Sequence, residues 1–113
     1  MKTQAALLVA TGQPLVIAEI ETPALKPGQV LVEVAYSGAC GTQLMEVAGD
    51  KGEDKWCPHC LGHEGTGTVA EIGSAVTKVK VGDKVVLSWI KGNGIEAGGT
   101  VYDWDGKKVN SGG

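Results

Sequence analysis

Both histidines and two of the three cysteines of this chain fall within one glycine-rich stretch, residues 57–73. In this stretch His63 and Glu64 are neighbours, so on a regular strand their side chains would point to opposite faces. Glycines on either side of the pair make a bend of the backbone there low in energy. An imidazole beside a carboxylate, with thiols nearby, is a donor set that suits zinc. Taken alone, the same short sequence is also typical of a polar turn that binds nothing.

The composition favours short strands joined by tight turns. The chain has 18 glycines and no phenylalanine among its 113 residues, and valine is its main apolar residue. This length is enough for one domain with a core of its own but not for two. The formal charge of −3, with acids and bases interspersed, argues against a basic face for nucleic acid.

The N-terminus and the cysteine count indicate the compartment. The apolar run Ala5–Ala10 is too short for the core of a signal peptide and far too short to cross a bilayer. We therefore expect a cytoplasmic protein with no membrane contact. An odd number of cysteines in a reducing compartment indicates free thiols or metal ligands rather than a disulfide framework.

The local pattern predicts eight or so short strands, seven of them with definite bounds, together with a short helix and the loops between them. A helix is expected over Gln43–Ala48 with Thr42 as its N-cap, and a charged, exposed loop over 49–55. One face of the third strand, made by Val30, Val32, Val34 and Tyr36, should be buried. The predicted strands are Ala5–Val9, Leu15–Ile20, Val30–Tyr36, Thr66–Ile72, Lys84–Trp89, Thr100–Trp104 and Lys107–Asn110.

Two turns and the end of the chain complete this pattern. The first two strands should form a hairpin across Gly12 and Pro14, and the last two a hairpin on Asp105-Gly106. The chain then stops at Ser-Gly-Gly, residues 111–113, with no closing element, which suggests a truncated domain. Short strands at this close spacing predict a small β-barrel.

Four motifs in series carry a resemblance to a known family. They resemble, in order and spacing, the N-terminal GroES-like domain of the zinc-dependent medium-chain alcohol dehydrogenases over about residues 4–90. The resemblance implies a mainly β fold, a GroES-like, partly open β-barrel with one or two short helices, as one incomplete domain over 1–113. The motifs are Pro27-Gly28-x-Val30-Leu31-Val32, Ser37-Gly38-x-Cys40-Gly41-Thr42, Leu61-Gly62-His63-Glu64-Gly65-x-Gly67-x-Val69 and Val81-Gly82-Asp83-x-Val85.

The resemblance also implies a site. It implies one catalytic zinc ion held by Cys40 and His63, with Glu64 as an adjacent or alternating ligand, and Thr42 as the hydroxyl that passes the alcohol proton outward. The chain would then be the catalytic-domain fragment of a zinc-dependent NAD(P)-linked alcohol or polyol dehydrogenase. The family binds NAD or NADP through a separate dinucleotide-binding domain that follows residue 113. We therefore expect no cofactor-binding residues here, no activity of the fragment by itself, and a homo-oligomer formed through an open strand edge.

Four departures from the family pattern limit what the resemblance implies. Gln43 stands where an aspartate is common. It can still accept a hydrogen bond from an imidazole N–H, but it supplies no negative charge. Met45 stands where the family often has the histidine that ends its proton relay. The four-cysteine structural zinc lobe that many members carry after Trp89 is missing, so we predict no structural zinc. The third metal ligand of the family also lies beyond residue 113.

Alternatives from other classes remain open at this point. The chain could be a stand-alone, non-enzymatic GroES-like β-barrel that binds zinc or a protein partner. Cys57-Pro58-His59-Cys60 has the spacing of a thiol-disulfide oxidoreductase, although the glycines that follow would not sustain the helix that such a motif opens. Gly92–Ala97 formally fits a nucleotide-binding glycine fingerprint, but it lacks the surrounding βαβ unit.

Overall fold

A computed structural model describes residues 1–50 and 52–111 of the chain. Lys51 of the predicted loop and the predicted open end at 112–113 lie outside these residues. The described part is mainly β with one short helix, which confirms the predicted class, and it holds no helix long and apolar enough to cross a membrane. Its elements are β1 Lys2–Leu8, β2 Val16–Glu21, β3 Val30–Ser37, α1 Gly41–Ala48, β4 His59–Cys60, β5 Gly65–Ile72, β6 Lys84–Leu87, β7 Val101–Trp104 and β8 Lys107–Asn110.

The chain divides into two compact units that alternate along the sequence. The second unit consists of Ala24–Gly38 and His63–Gly98. The first unit consists of Met1–Pro23, Ala39–Gly62 and the described residues from Gly99 onward.

In the first unit five strands close into a barrel in the order β1-β2-β7-β8-β4. The β1–β2 hairpin is antiparallel, as predicted, while β4 pairs in antiparallel fashion with β1 and in parallel fashion with β8. Side chains from three strands fill the interior of the barrel, where Leu7, Ile20 and Val109 are at most 2% exposed. Burial of these aliphatic side chains is the main favourable term that holds the ring together.

The β7–β8 hairpin turns on Asp105 and Gly106, as predicted. Their φ angles are 48° and 85°, so both residues are in the left-handed region. A two-residue hairpin turn of this kind matches the right-handed twist of its strands, and Asp-Gly is one of the sequences that adopt it at low cost.

In the second unit three antiparallel strands form a sheet in the order β3-β5-β6. The central strand β5 approaches β3 closely at Gly67, where an added Cβ would collide with the backbone carbonyl of Glu33. Two residues further, Val69 is 1% exposed. Because of the close approach at Gly67, a side chain at that position would push β3 and β5 apart.

The burial predicted for the third strand is wrong in its second half. Val34 is 52% exposed and Tyr36 79% exposed, although both were predicted to face the core. The pairing of β3 with β5 shifts register twice, between Leu31 and Val32 and again between Val34 and Tyr36. Such irregularities interrupt the alternation of faces on which the prediction depended.

Three further details differ from the sequence prediction. The helix begins at Gly41 with Cys40 as its N-cap, so Thr42 lies in the first turn and is not the cap. The strand β6 ends at Leu87 rather than at Trp89. The two-residue strand β4 was not predicted, because a segment this short shows no periodicity.

Candidate functional site

Cys40 is held at the start of α1 by a reciprocal pair of hydrogen bonds. Its backbone N–H donates to Oε1 of Gln43 at 3.0 Å, and the Gln43 N–H donates to the Cys40 carbonyl at 3.0 Å. Gln43 is only 9% exposed, so this amide is fixed in place. The residue that departs from the family pattern thus anchors the backbone of the predicted thiolate ligand. Thr42 lies next to it in the first turn and is exposed to solvent.

His63 and Glu64 lie immediately before β5, outside the regular strand. Gly62, which precedes them, has a φ of 140°, a value that residues with a side chain rarely adopt. The chain therefore enters this pair through a conformation that requires glycine. The strict alternation of faces in a strand does not apply to these two side chains.

Glu64 is held against Gly38 within the second unit. The Glu64 carbonyl accepts a hydrogen bond from the Gly38 N–H at 3.3 Å and one from the Ser37 hydroxyl at 3.4 Å. A Cβ built on Gly38 would lie 2.5 Å from Oε1 of Glu64. The carboxylate therefore occupies the space that a side chain at position 38 would fill.

The predicted metal ligands are distributed over both units. Cys40 and Thr42 belong to the first unit, and His63 and Glu64 belong to the second. Their convergence on one zinc ion stays a prediction. The residues fit that ion in two respects. Thiolate, imidazole and carboxylate are donors that catalytic zinc takes in proteins. In addition, Gly38 leaves room for the Glu64 carboxylate.

The two cysteines of the Cys-x-x-Cys motif have the properties of weakly reactive thiols. All three cysteines of the chain are free thiols in the structure. Burial raises the pKa of the Cys60 thiol, and burial together with the negative charge of Asp54 raises the pKa of Cys57. The nucleophilic cysteine of a thiol-disulfide oxidoreductase needs a lowered pKa. Cys60 also lies in a strand, whereas in those enzymes the motif opens a helix.

A cluster in the first unit was missed by the sequence prediction. Nδ1 of His59 lies 2.8 Å from Oδ2 of Asp54, and one ligand atom from each of Glu46, Asp54 and His59 lies within 4.8 Å of the others. Most described residues of the predicted loop over 49–55 are exposed, but the Asp54 side chain departs from this pattern and is only 6% exposed. The available signal was the histidine inside the Cys-x-x-Cys motif with an aspartate five residues before it.

Comparison with known proteins connects the chain to a family of enzymes. The family described as alcohol dehydrogenase GroES-like domain matches residues 26–110, a range that contains Cys40, His63 and Glu64. S-(hydroxymethyl)glutathione dehydrogenases from Escherichia coli (strain HS) and Shigella sonnei (strain Ss046) are 45% identical to it over 86 residues, covering 76% of this chain. The chain spans only 23% of the length of these curated relatives.

A solved structure agrees with the sequence comparison. The crystal structure of an alcohol dehydrogenase zinc-binding domain protein from Burkholderia ambifaria matches with a TM-score of 0.67 and 32% sequence identity. The match covers 74% of this chain and 22% of that protein.

Proposed function

The chain belongs to the family of alcohol dehydrogenase GroES-like domains, and from this premise we propose that it holds the catalytic zinc of an NAD(P)-linked alcohol dehydrogenase. Membership confirms the predicted mainly β, GroES-like fold. The observation that carries the proposal is the family match over residues 26–110, because that range includes every predicted zinc donor of this chain.

In this proposal Cys40 supplies a thiolate and His63 an imidazole, while Glu64 is the adjacent or alternating ligand. When bound, zinc would supply Lewis-acid chemistry that makes the proton of an alcohol more acidic. Gln43 supports this arrangement by fixing the backbone of Cys40. The hydrogen bonds from Gly38 and Ser37 to the Glu64 carbonyl fix the second part of the donor set.

Thr42 is proposed to carry the alcohol proton to solvent. It lies two residues after Cys40, in the first turn of α1, and its exposure gives the hydroxyl access to water. A hydroxyl can accept and donate a hydrogen bond at the same time, which a proton-relaying group requires. With Met45 in place of a relay histidine, water receives the proton after Thr42.

The cofactor, the substrate and the assembly are also part of the proposal. Hydride transfer requires a nicotinamide held close to the substrate, and we assign its binding to a dinucleotide domain outside residues 1–113. The names of the relatives make S-(hydroxymethyl)glutathione the first alcohol to test, ahead of simple alcohols and polyols. A cytoplasmic location, which the free thiols suit, and a homo-oligomeric assembly complete the proposal.

Cobalt substitution tests the proposed zinc site. Cobalt(II) bound by a thiolate absorbs in the near ultraviolet, and we expect this absorption when the purified chain is titrated with cobalt. Cys40→Ser and His63→Ala should each abolish it or lower the affinity by about tenfold or more. Cys57→Ser is the matched control and should leave the absorption unchanged. An absorption that survives Cys40→Ser but disappears in Cys57→Ser would contradict the proposal.

An activity assay tests where the cofactor binds. The chain is incubated with zinc, NAD or NADP, and S-(hydroxymethyl)glutathione or simple alcohols. We expect no reduced cofactor above the level of a Cys40→Ala variant, because positioning of the nicotinamide supplies on the order of 7 to 11 kcal/mol of the barrier reduction. Turnover that depends on Cys40 would place a dinucleotide site within these 113 residues and overturn this part of the proposal.

A further inference from the structure

Three side chains in the first unit, separate from the predicted zinc donors, form a second cluster with metal-binding chemistry. Glu46 extends from α1, Asp54 from the connection that follows it, and His59 from β4. One ligand atom from each lies within 4.8 Å of the other two. None of the three is shared with the proposed catalytic site.

Asp54 is fixed before any ion binds. Its backbone N–H donates to the Thr11 hydroxyl at 2.9 Å, and its Oδ1 accepts the backbone N–H of Trp56 at 2.8 Å. Its second oxygen faces Nδ1 of His59 at 2.8 Å. One contact thus holds the Asp54 backbone and two hold its carboxylate, so little conformational entropy is left to lose on binding.

His59 is fixed by the barrel. It pairs with Leu8 of β1 and with Asn110 of β8, so strands on both sides hold its backbone. Its side chain is 9% exposed. The Asp54 carboxylate at hydrogen-bond distance therefore holds this buried imidazole ring in one orientation.

The position of Glu46 is not explained by the hydrogen bond between His59 and Asp54. It is half-buried, and no described residue forms a hydrogen bond or ion pair with its carboxylate. Its oxygen nevertheless lies within 4.8 Å of the Asp54 carboxylate and of His59. Two carboxylates at this distance repel each other. A divalent cation between them would offset that repulsion.

We propose that Glu46, Asp54 and His59 bind a divalent transition-metal ion of the zinc type. Imidazole nitrogen and carboxylate oxygen are both donors that zinc takes in proteins, and three protein ligands leave a fourth position for water. Magnesium and calcium prefer oxygen donors alone. Ligand atoms around a tetrahedral zinc ion lie roughly 3.4 Å apart. The flexible Glu46 side chain can approach to that distance, while the Asp54 and His59 atoms, now 2.8 Å apart, would separate slightly to bind the same ion.

Metal titration of a variant that lacks the proposed catalytic site tests this assignment. In the Cys40→Ser, His63→Ala double variant we expect one equivalent of zinc to remain bound in equilibrium dialysis. Cobalt bound there should absorb in the visible region without the near-ultraviolet band of a thiolate ligand. Adding Glu46→Gln should lower the affinity by about tenfold or more, because even changes beyond the direct ligands cost that much.

Glu53→Gln is the matched control, because Glu53 is an exposed glutamate in the same connection that does not belong to the cluster. It should leave metal binding unchanged. Asp54→Asn provides a second test and should likewise lower the metal affinity. Circular dichroism verifies that this variant folds. Equal affinities for the Glu46→Gln and Glu53→Gln variants would overturn the assignment, as would absence of binding in the double variant. Binding lost only when Cys57 and Cys60 are replaced would assign the metal to the thiols instead.

Discussion

The missing side chain at Gly38 leaves the space in which the Glu64 carboxylate lies. Glu64 is exposed and ends in a flexible carboxylate, so an obstacle at position 38 would move the glutamate rather than the backbone. The Ser37-Gly38 sequence resembles its family motif, and the structure gives a physical reason for the glycine. The glycine leaves room for the carboxylate of Glu64, which is itself one of the predicted zinc ligands.

Gly38→Ala should therefore affect metal binding more than stability. The new Cβ would lie 2.5 Å from Oε1 of Glu64 and displace it. We expect the free energy of unfolding to change by less than about 0.5 kcal/mol, as for most surface substitutions. The cobalt affinity, followed through the thiolate absorption, should fall by about tenfold.

Gly41→Ala is the control for that substitution. Gly41 is adjacent to Cys40, and a Cβ there meets nothing within 4 Å. It should leave the cobalt affinity unchanged and slightly stabilise α1, because alanine favours a helix over glycine. If both variants lose affinity equally, Glu64 has no separate part in the metal site. An unchanged affinity in Gly38→Ala leads to the same conclusion.

At the scale of elements, the sequence predicted those strands whose ends are marked by turn chemistry. Asp105-Gly106 defines its hairpin because both residues tolerate the positive φ that the turn requires. The first hairpin follows similarly from Gly12, whose φ is 78°. In both cases the signal is local, so one sequence is enough to recognise it.

Features that depend on distant partners were not predicted. The strand β4 has two residues and exists because Leu7 and Leu8 on one side and Asn110 on the other pair with it. The irregular pairing of β3 depends on β5, which lies nearly thirty residues later in the chain. Neither partner leaves a mark on the local pattern.

The candidate sites divide in the same way. Cys40, His63 and Glu64 were identified because family motifs surround each of them. Glu46 and Asp54 belong to no motif, and only the fold brings their carboxylates near His59. The composition of this charged, glycine-containing stretch predicts an exposed loop. It gives no sign that one aspartate in the stretch has a buried side chain.

At the scale of the whole chain, the two units differ in whether their strands have neighbours on both sides. In the first unit each strand of the closed ring has a partner on both sides. In the second unit β3 and β6 each pair only with β5 among the described residues. An unpaired edge presents free backbone donors and acceptors to another chain. The second unit is therefore the place to expect self-association.

Val86 allows a direct test of that expectation. It lies on the edge strand β6 and is 77% exposed. A lysine on an edge strand discourages pairing with another chain, because the charge would have to be desolvated between the strands. In light scattering we expect the unmodified chain to exceed its monomer mass of 11.6 kDa, increasingly so with concentration. Val86→Lys should shift the measured mass toward the monomer value.

Ile17→Lys separates edge pairing from general surface hydrophobicity. Ile17 is 68% exposed, but it lies on β2, which has a neighbouring strand on both sides in the closed ring, although β7 pairs with it only at Glu21. It should leave association unchanged, because the lysine replaces a comparable apolar surface on a strand that does not end a sheet. If Ile17→Lys reduces the mass as much as Val86→Lys does, the association arises from exposed apolar side chains in general. A monomer at every concentration would rule out pairing through β6, and with it this route to the homo-oligomer.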